Sequence, residues 1–87
     1  MGIQLSLSLD ERMYATYGDA YFEMIRLLND VLPSDPLIGV PLKFQGHEDW
    51  YRYEFWVTVE NERRCFCAVY RNLSDDIIDV LDIQTRP

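Results

Sequence analysis

Trp50-Tyr51-Arg52-Tyr53-Glu54-Phe55-Trp56-Val57-Thr58-Val59-Glu60, followed by Arg63-Arg64-Cys65-Phe66-Cys67-Ala68-Val69-Tyr70-Arg71, decides the fold. The first run alternates strictly and carries aromatic and β-branched residues. That pattern gives a strand with two distinct faces. Tyr51, Tyr53, Phe55, Val57 and Val59 share one face, and Trp50, Arg52, Glu54, Trp56, Thr58 and Glu60 share the other. The second run is equally strand-like, and Asn61-Glu62 between them reads as a two-residue turn. That turn sets Phe55 opposite Ala68, Tyr53 opposite Tyr70, Val57 opposite Phe66 and Arg52 opposite Arg71. The apolar pairs of this register build one continuous core face.

Working outward towards the N-terminus, residues 3–9 alternate Ile3, Leu5, Leu7 and Leu9 with Gln4, Ser6 and Ser8. This predicts a strand, with Asp10 capping the helix that follows and Glu11 well placed in its first turn. Apolar residues then recur at helical spacing through Tyr14, Tyr17, Tyr21, Met24, Ile25, Leu28 and Leu32. The tyrosines read as core packing against the sheet. Gly18-Asp19 is the point at which this helix is expected to break, and Pro33 ends it. Pro33 to Pro36 is a loop signature, and 37–49 reads as an irregular connection or a short edge strand. Ser74 to Arg86 reads two ways. As a helix it would line Asp75, Asp76, Asp79 and Asp82 along one side, whereas its Ile and Val content fits a strand. The expectation is an α+β, small two-layer domain over residues 1–87. It has an N-terminal strand, one long or broken helix, then an antiparallel β-meander whose last segment is open between strand and helix.

Eighty-seven residues make one domain, and 48% hydrophobic content with 26% charged residues is ordinary globular usage. Fifteen acids against eight bases leave a net charge of −7. That balance argues against a general nucleic-acid binder, which draws its affinity from Lys and Arg on phosphates. No apolar run approaches the roughly 18 residues of a membrane span, and no signal peptide is expected. Cys65 and Cys67 in one strand would have Cα atoms about 6.5–7 Å apart, at or beyond disulfide reach. Reduced thiols point to the cytosol.

Chemistry-bearing constellations are sparse. There is no Gly-rich phosphate loop and no nucleophile elbow, and His47 is the only histidine. Cys65 and Cys67 with His47 lack an evident fourth zinc ligand, and His47-Glu48-Asp49 reads as a solvated loop. The four C-terminal aspartates lack the order of a calcium loop. No metal, cofactor or catalytic residue is therefore expected. The physically odd feature is the second face of the hairpin, where Trp50, Arg52 and Trp56 stand with Arg71, Cys65, Cys67 and Val69. Trp and Arg are enriched among interface hot spots, so this face is a candidate partner-binding surface. The alternative is that the C-terminal segment or the 37–49 loop covers the tryptophans and Glu54 satisfies the arginines. Glu48, Asp49, Asp75, Asp76, Asp79 and Asp82 are candidates for pairing with a basic partner.

Tyr70-Arg71, Asp75-Asp76-Ile77-Ile78, Val80-Leu81-Asp82-Ile83 and Arg86 resemble the paired last strands of the RelE/ParE toxin superfamily. Ile38-Gly39-Val40-Pro41-Leu42 is similar to the segment that precedes its first meander strand. The resemblance covers residues 37–87 and favours the strand over the helix for the last segment. It implies either mRNA cleavage, which here would use Arg52, Tyr70, Arg71 and Arg86, or gyrase inhibition by protein contact. The sequence departs from the family in its short helical region, its single lysine and its acidity.

Two classes of function follow as expectations. The first is a small acidic cytosolic inhibitor, of immunity, antitoxin or phage anti-defence type, that engages a basic, nucleic-acid-handling protein without binding nucleic acid itself. The second is a RelE/ParE-like toxin or a degenerate relative. A homodimer joined through Trp50 and Trp56 is a further arrangement open to the chain.

Overall fold

The hairpin forms the centre of the structure, a computed structural model that describes residues 2–43, 49–74 and 77–86. In chain order the elements are β1 (Gly2–Leu5), α1 (Leu7–Tyr17), α2 (Asp19–Val31), β2 (Val40–Pro41), β3 (Trp50–Val59), β4 (Glu62–Ser74) and β5 (Ile77–Thr85). They make one five-stranded sheet in the order β1-β5-β4-β3-β2. The β2 to β5 run is an antiparallel meander, while β1 returns to pair in parallel with β5. Ile77–Thr85 is a strand, so Asp79 and Asp82 do not line a helix, and Asp75 and Asp76 lie outside the described residues.

The turn sits one residue earlier than the sequence predicts. Glu60 and Asn61, both with positive φ (51° and 65°), form the two-residue loop. Both central residues of a type I′ turn need positive φ, and Asn tolerates that region better than most residues. Val59 therefore faces Glu62, and the register places Phe55 opposite Phe66, Tyr53 opposite Ala68 and Trp50 opposite Arg71. The offset from the predicted pairing is two residues, so every side chain keeps its predicted face. It does separate Arg52 from Arg71. Arg52 lies opposite Val69, and the expected like-charge pair does not form.

The N-terminal strand also ends sooner than alternation predicts. Ser6, not Asp10, is the N-cap, its Oγ accepting from the Leu9 N–H at 3.2 Å. An alternating run of four leucine and isoleucine positions is too short to exclude a helical start. Leu9 and Met13 fall four apart on the buried side of α1, and Leu7 is left exposed. Gly18 (φ 58°, ψ −127°) separates the two helices in a conformation open to little but glycine. The break resets the helical phase. Met13 rather than Tyr14 faces the core, and Tyr14 lies exposed against Phe22, with ring centroids 5.4 Å apart.

Leu9, Met13, Tyr21, Met24, Leu28 and Leu32 from the helices pack on the inner face of the sheet, where Phe66, Ala68, Tyr70 and Val80 are essentially inaccessible. Each of the larger of these side chains contributes roughly 1.5–3 kcal/mol on burial. Tyr21 donates its hydroxyl to Asp10 and so staples α2 to α1. Tyr70 reaches through the core to the loop before β2. Its hydroxyl donates to the Pro36 carbonyl at 2.8 Å and accepts from the Gly39 N–H at 3.0 Å. A Cβ on Gly39 would lie 2.6 Å from the Arg52 carbonyl oxygen, so only glycine lets this loop approach β3.

Tyr70→Phe removes both hydrogen bonds and leaves the Gly39 N–H and Pro36 carbonyl without that partner. Chemical denaturation is expected to show a loss of about 1–3 kcal/mol with an unchanged m-value.

Candidate functional site

The helices cover one face of the sheet only. The opposite face is built from alternate residues of the long strands. Trp50, Arg52, Glu54 and Trp56 come from β3, and Cys65, Cys67, Val69 and Arg71 stand opposite or beside them on β4. On β5, Gln84 lies opposite Cys67, Asp82 opposite Val69 and Asp79 opposite Arg71. A bulge between the Val69 and Tyr70 pairings inserts Leu81, which re-aims the strand so that Leu81 lines the same groove as Asp82.

Trp56 is 54% exposed in mid-strand, with no layer above it among the described residues. Trp50 is half-buried. The groove between Trp50 and β5 encloses about 450 Å³, its floor made by Cys67 and Val69 and its walls by Leu42, Leu81 and the two arginines Arg52 and Arg86. Leu42 is carried there by its backbone N–H, which donates to the Trp50 carbonyl at 2.9 Å. Burial pushes the Cys67 thiol above its ordinary pKa, against the lowering effect of Arg52, so at neutral pH it is a packed thiol.

The charges on this face are organised in pairs. Arg86 reaches Glu54 at 3.3 Å, and Arg52 lies 3.9 Å from the same carboxylate oxygen. Arg71 bonds Asp79 at 3.2 Å. Arg52, Arg71 and Arg86, with Arg63 near the hairpin end, account for four of the eight basic residues of the chain. The acid excess is steepest in the helical segment, although residues 36–87 also hold nine acids against six bases. Residues 6–35, which carry both helices, hold six acids (Asp10, Glu11, Asp19, Glu23, Asp30, Asp35) against Arg12 and Arg26. An acidic helical layer thus backs an aromatic sheet face whose arginines are matched by Glu54, Asp79 and Asp82.

Sequence reasoning placed Trp50, Arg52, Trp56 and Arg71 on one face, and the structure brings them there. The acid candidates divide. Asp79 is held by Arg71, and Asp82 by Arg12 at 2.6 Å. Asp49 is exposed in the turn just before β3. Glu48, Asp75 and Asp76 lie outside the described residues, as does His47. The quartet implied by the toxin resemblance is not gathered. Tyr70 projects from the opposite face of the sheet to Arg52, Arg71 and Arg86, and its hydroxyl is committed to Pro36 and Gly39. Among the described residues no group of histidine, cysteine and carboxylate side chains is arranged to hold a metal, and no helix is long and apolar enough to cross a membrane. Two contributors escaped the sequence reading. Arg63 was legible, since the alternation of β4 sets it on the outer face. Leu42 was not, because a backbone bond across the sheet places it.

Comparison with protein-family models, with characterised proteins and with solved structures finds no match to this chain.

Asp82 is the perturbed carboxylate of the region. Burial alone would raise its pKa, but hydrogen bonds from Gln84, Arg12 and the Ile83 N–H outweigh that effect and hold it below the ordinary aspartate value. A folded-state pKa below the unfolded value stabilises the protein above the unfolded pKa of about 3.9, and that contribution is lost as pH falls through the folded value. Asp82→Asn is therefore expected to flatten the acid limb of the stability profile below about pH 5, read by denaturant titration at successive pH values.

Proposed function

We propose that this chain is a small cytosolic protein-binding inhibitor, of the immunity, antitoxin or phage anti-defence kind, that engages a basic, nucleic-acid-handling protein. One observation carries the reading: Trp56 stands 54% exposed in the middle of a sheet face that no other layer covers among the described residues, beside Arg63, Arg64 and Arg86. A large aromatic in such a position loses apolar area to water unless a partner covers it. Trp and Arg are also the residue types that dominate interface energetics. The separated acids suit the same function in a second way. With Asp79 and Asp82 already paired, the net charge of −7 acts over the whole chain, the helical segment being its most acid-rich part, and steers the approach of a basic partner.

A RelE/ParE-type toxin or a degenerate relative is the second reading. What favours it is the order of strand, two helices and meander, with the last strand paired inside the sheet. The commitment of Tyr70 to the loop before β2 weighs against the nuclease form of that reading and leaves gyrase inhibition by protein contact as its other form.

Affinity capture from host lysate tests the choice. Wild-type protein is expected to retain a basic protein at low salt and to release it as salt rises. Trp56→Ala is expected to weaken that complex by about 2 kcal/mol or more, roughly thirtyfold, with the fold intact. Retention that is indifferent to both salt and Trp56→Ala contradicts the inhibitor reading. Growth arrest on expression that Arg86→Ala abolishes favours the toxin reading instead.

A further inference from the structure

Strand β3 is paired along its whole length with β4, but β2 covers its other side only at Tyr51 and Arg52. Residues 53–59 thus have no strand beside them among the described residues. Other edges of the sheet are blunted in part: beyond Val80, β5 has no strand on its outer side among the described residues, and there the Ile83 N–H bonds Asp82 Oδ1 at 2.9 Å. β1 gives its Ile3 N–H to Asn29 Oδ1 of α2 at 3.3 Å, and β2 carries Pro41, which has no N–H to offer. The open part of β3 has no proline, no lysine and no bulge.

The direction of its backbone groups follows from bonds on either side. The Trp50 carbonyl accepts from Leu42 N–H on the β2 side. Across the hairpin, the Cys65 carbonyl accepts from Arg86 N–H on the β5 side, so Cys65 turns its backbone away from Trp56, the residue it faces. By the period of two, Glu54, Trp56 and Thr58 aim their N–H and C=O groups out of the sheet. We infer that this edge is the contact between two copies of the chain, paired antiparallel about a two-fold axis at Trp56. In that register Trp56 exchanges both bonds with its counterpart, and Glu54 does so with Thr58 of the second copy. All three outward-facing residues find partners at once, whereas other registers centred on this edge leave at least one of them unmatched or run into β2.

The side chains agree with this register. Phe55 meets Val57 and Tyr53 meets Val59 on the inner face, Trp56 meets Trp56 on the outer face, and no like charges stand opposite each other. Next to the edge, α2 leaves an open groove of about 520 Å³ with Leu27, Val31 and Val57 at its apolar part and Glu23, Arg26, Asp30 and Arg63 around it, which is room for the incoming strand. The contact is isologous and closed, so it makes a dimer and not a fibre. It extends the sheet to ten strands and joins the two uncovered faces at Trp56. The inference does not rest on the inhibitor reading, and its salt dependence has the opposite sign. Two chains of charge −7 repel, so added salt tightens the dimer while it loosens a basic partner.

Sedimentation velocity over a concentration series, with amide hydrogen exchange at its two ends, tests it. A monomer–dimer equilibrium that strengthens with salt is expected. The amides of Glu54, Trp56 and Thr58 should exchange freely in the monomer and become protected in the dimer. Thr58→Glu sets a carboxylate opposite Glu54 of the second copy and should weaken the dimer at least tenfold. The same carboxylate faces Arg63 within its own sheet, so the melting temperature of the monomer should not fall. A monomer at every concentration and salt overturns the inference. So does a dimer in which those three amides stay unprotected, or one that Thr58→Glu leaves intact.

Discussion

Two short helices cannot cover both sides of a five-stranded sheet, and that constraint shapes the rest of the molecule. α1 and α2 have 11 and 13 residues, about 16 and 20 Å of helix, against strands of up to 13 residues. They are spent on one face, where Tyr21, Met24, Leu28 and Leu32 close over Phe66, Tyr70 and Val80. Among the described residues nothing covers the other face of the sheet. A fully apolar second face would invite aggregation, and a fully charged one would be inert. This chain does neither. Its outer face alternates tryptophans and packed thiols with arginine–carboxylate pairs.

The same economy accounts for the connections. Only Gly18 separates the helices, and its left-handed backbone turns the chain so that Tyr21 can bond Asp10. Tyr70 serves as both core side chain and tether for the loop before β2, which in turn sets Leu42 beside Trp50. Groove and core are thereby linked. The residues that wall the open face are held in place by groups buried on the closed one.

Much of this was legible in the sequence, and the failures have physical causes. Strict alternation over 50–60 fixed the two faces of β3, since a period-two pattern over ten residues cannot be confused with a helix. The turn was misplaced by one residue because Glu60 adopts positive φ, which nothing about glutamate advertises. The resulting two-residue slip preserved the faces and altered only the opposite partners, which removed the expected Arg52–Arg71 clash. At the N-terminus the alternation of Leu5, Leu7 and Leu9 points to a strand, but Ser6 caps α1 through one hydrogen bond and the helix leaves Leu7 exposed. The short β2 and the bulge at Leu81 depend on tertiary pairing, and single-residue patterns do not encode that.

The central claim is that the outer sheet face is open to solvent at Trp56. In a Trp50→Phe variant Trp56 is the sole indole, and its fluorescence reads that face directly. At concentrations low enough to keep the chain monomeric, the account predicts red-shifted emission and efficient quenching by both acrylamide and iodide. Blue-shifted emission shielded from both quenchers would show the face to be covered, and the reading of it as a partner surface would fail.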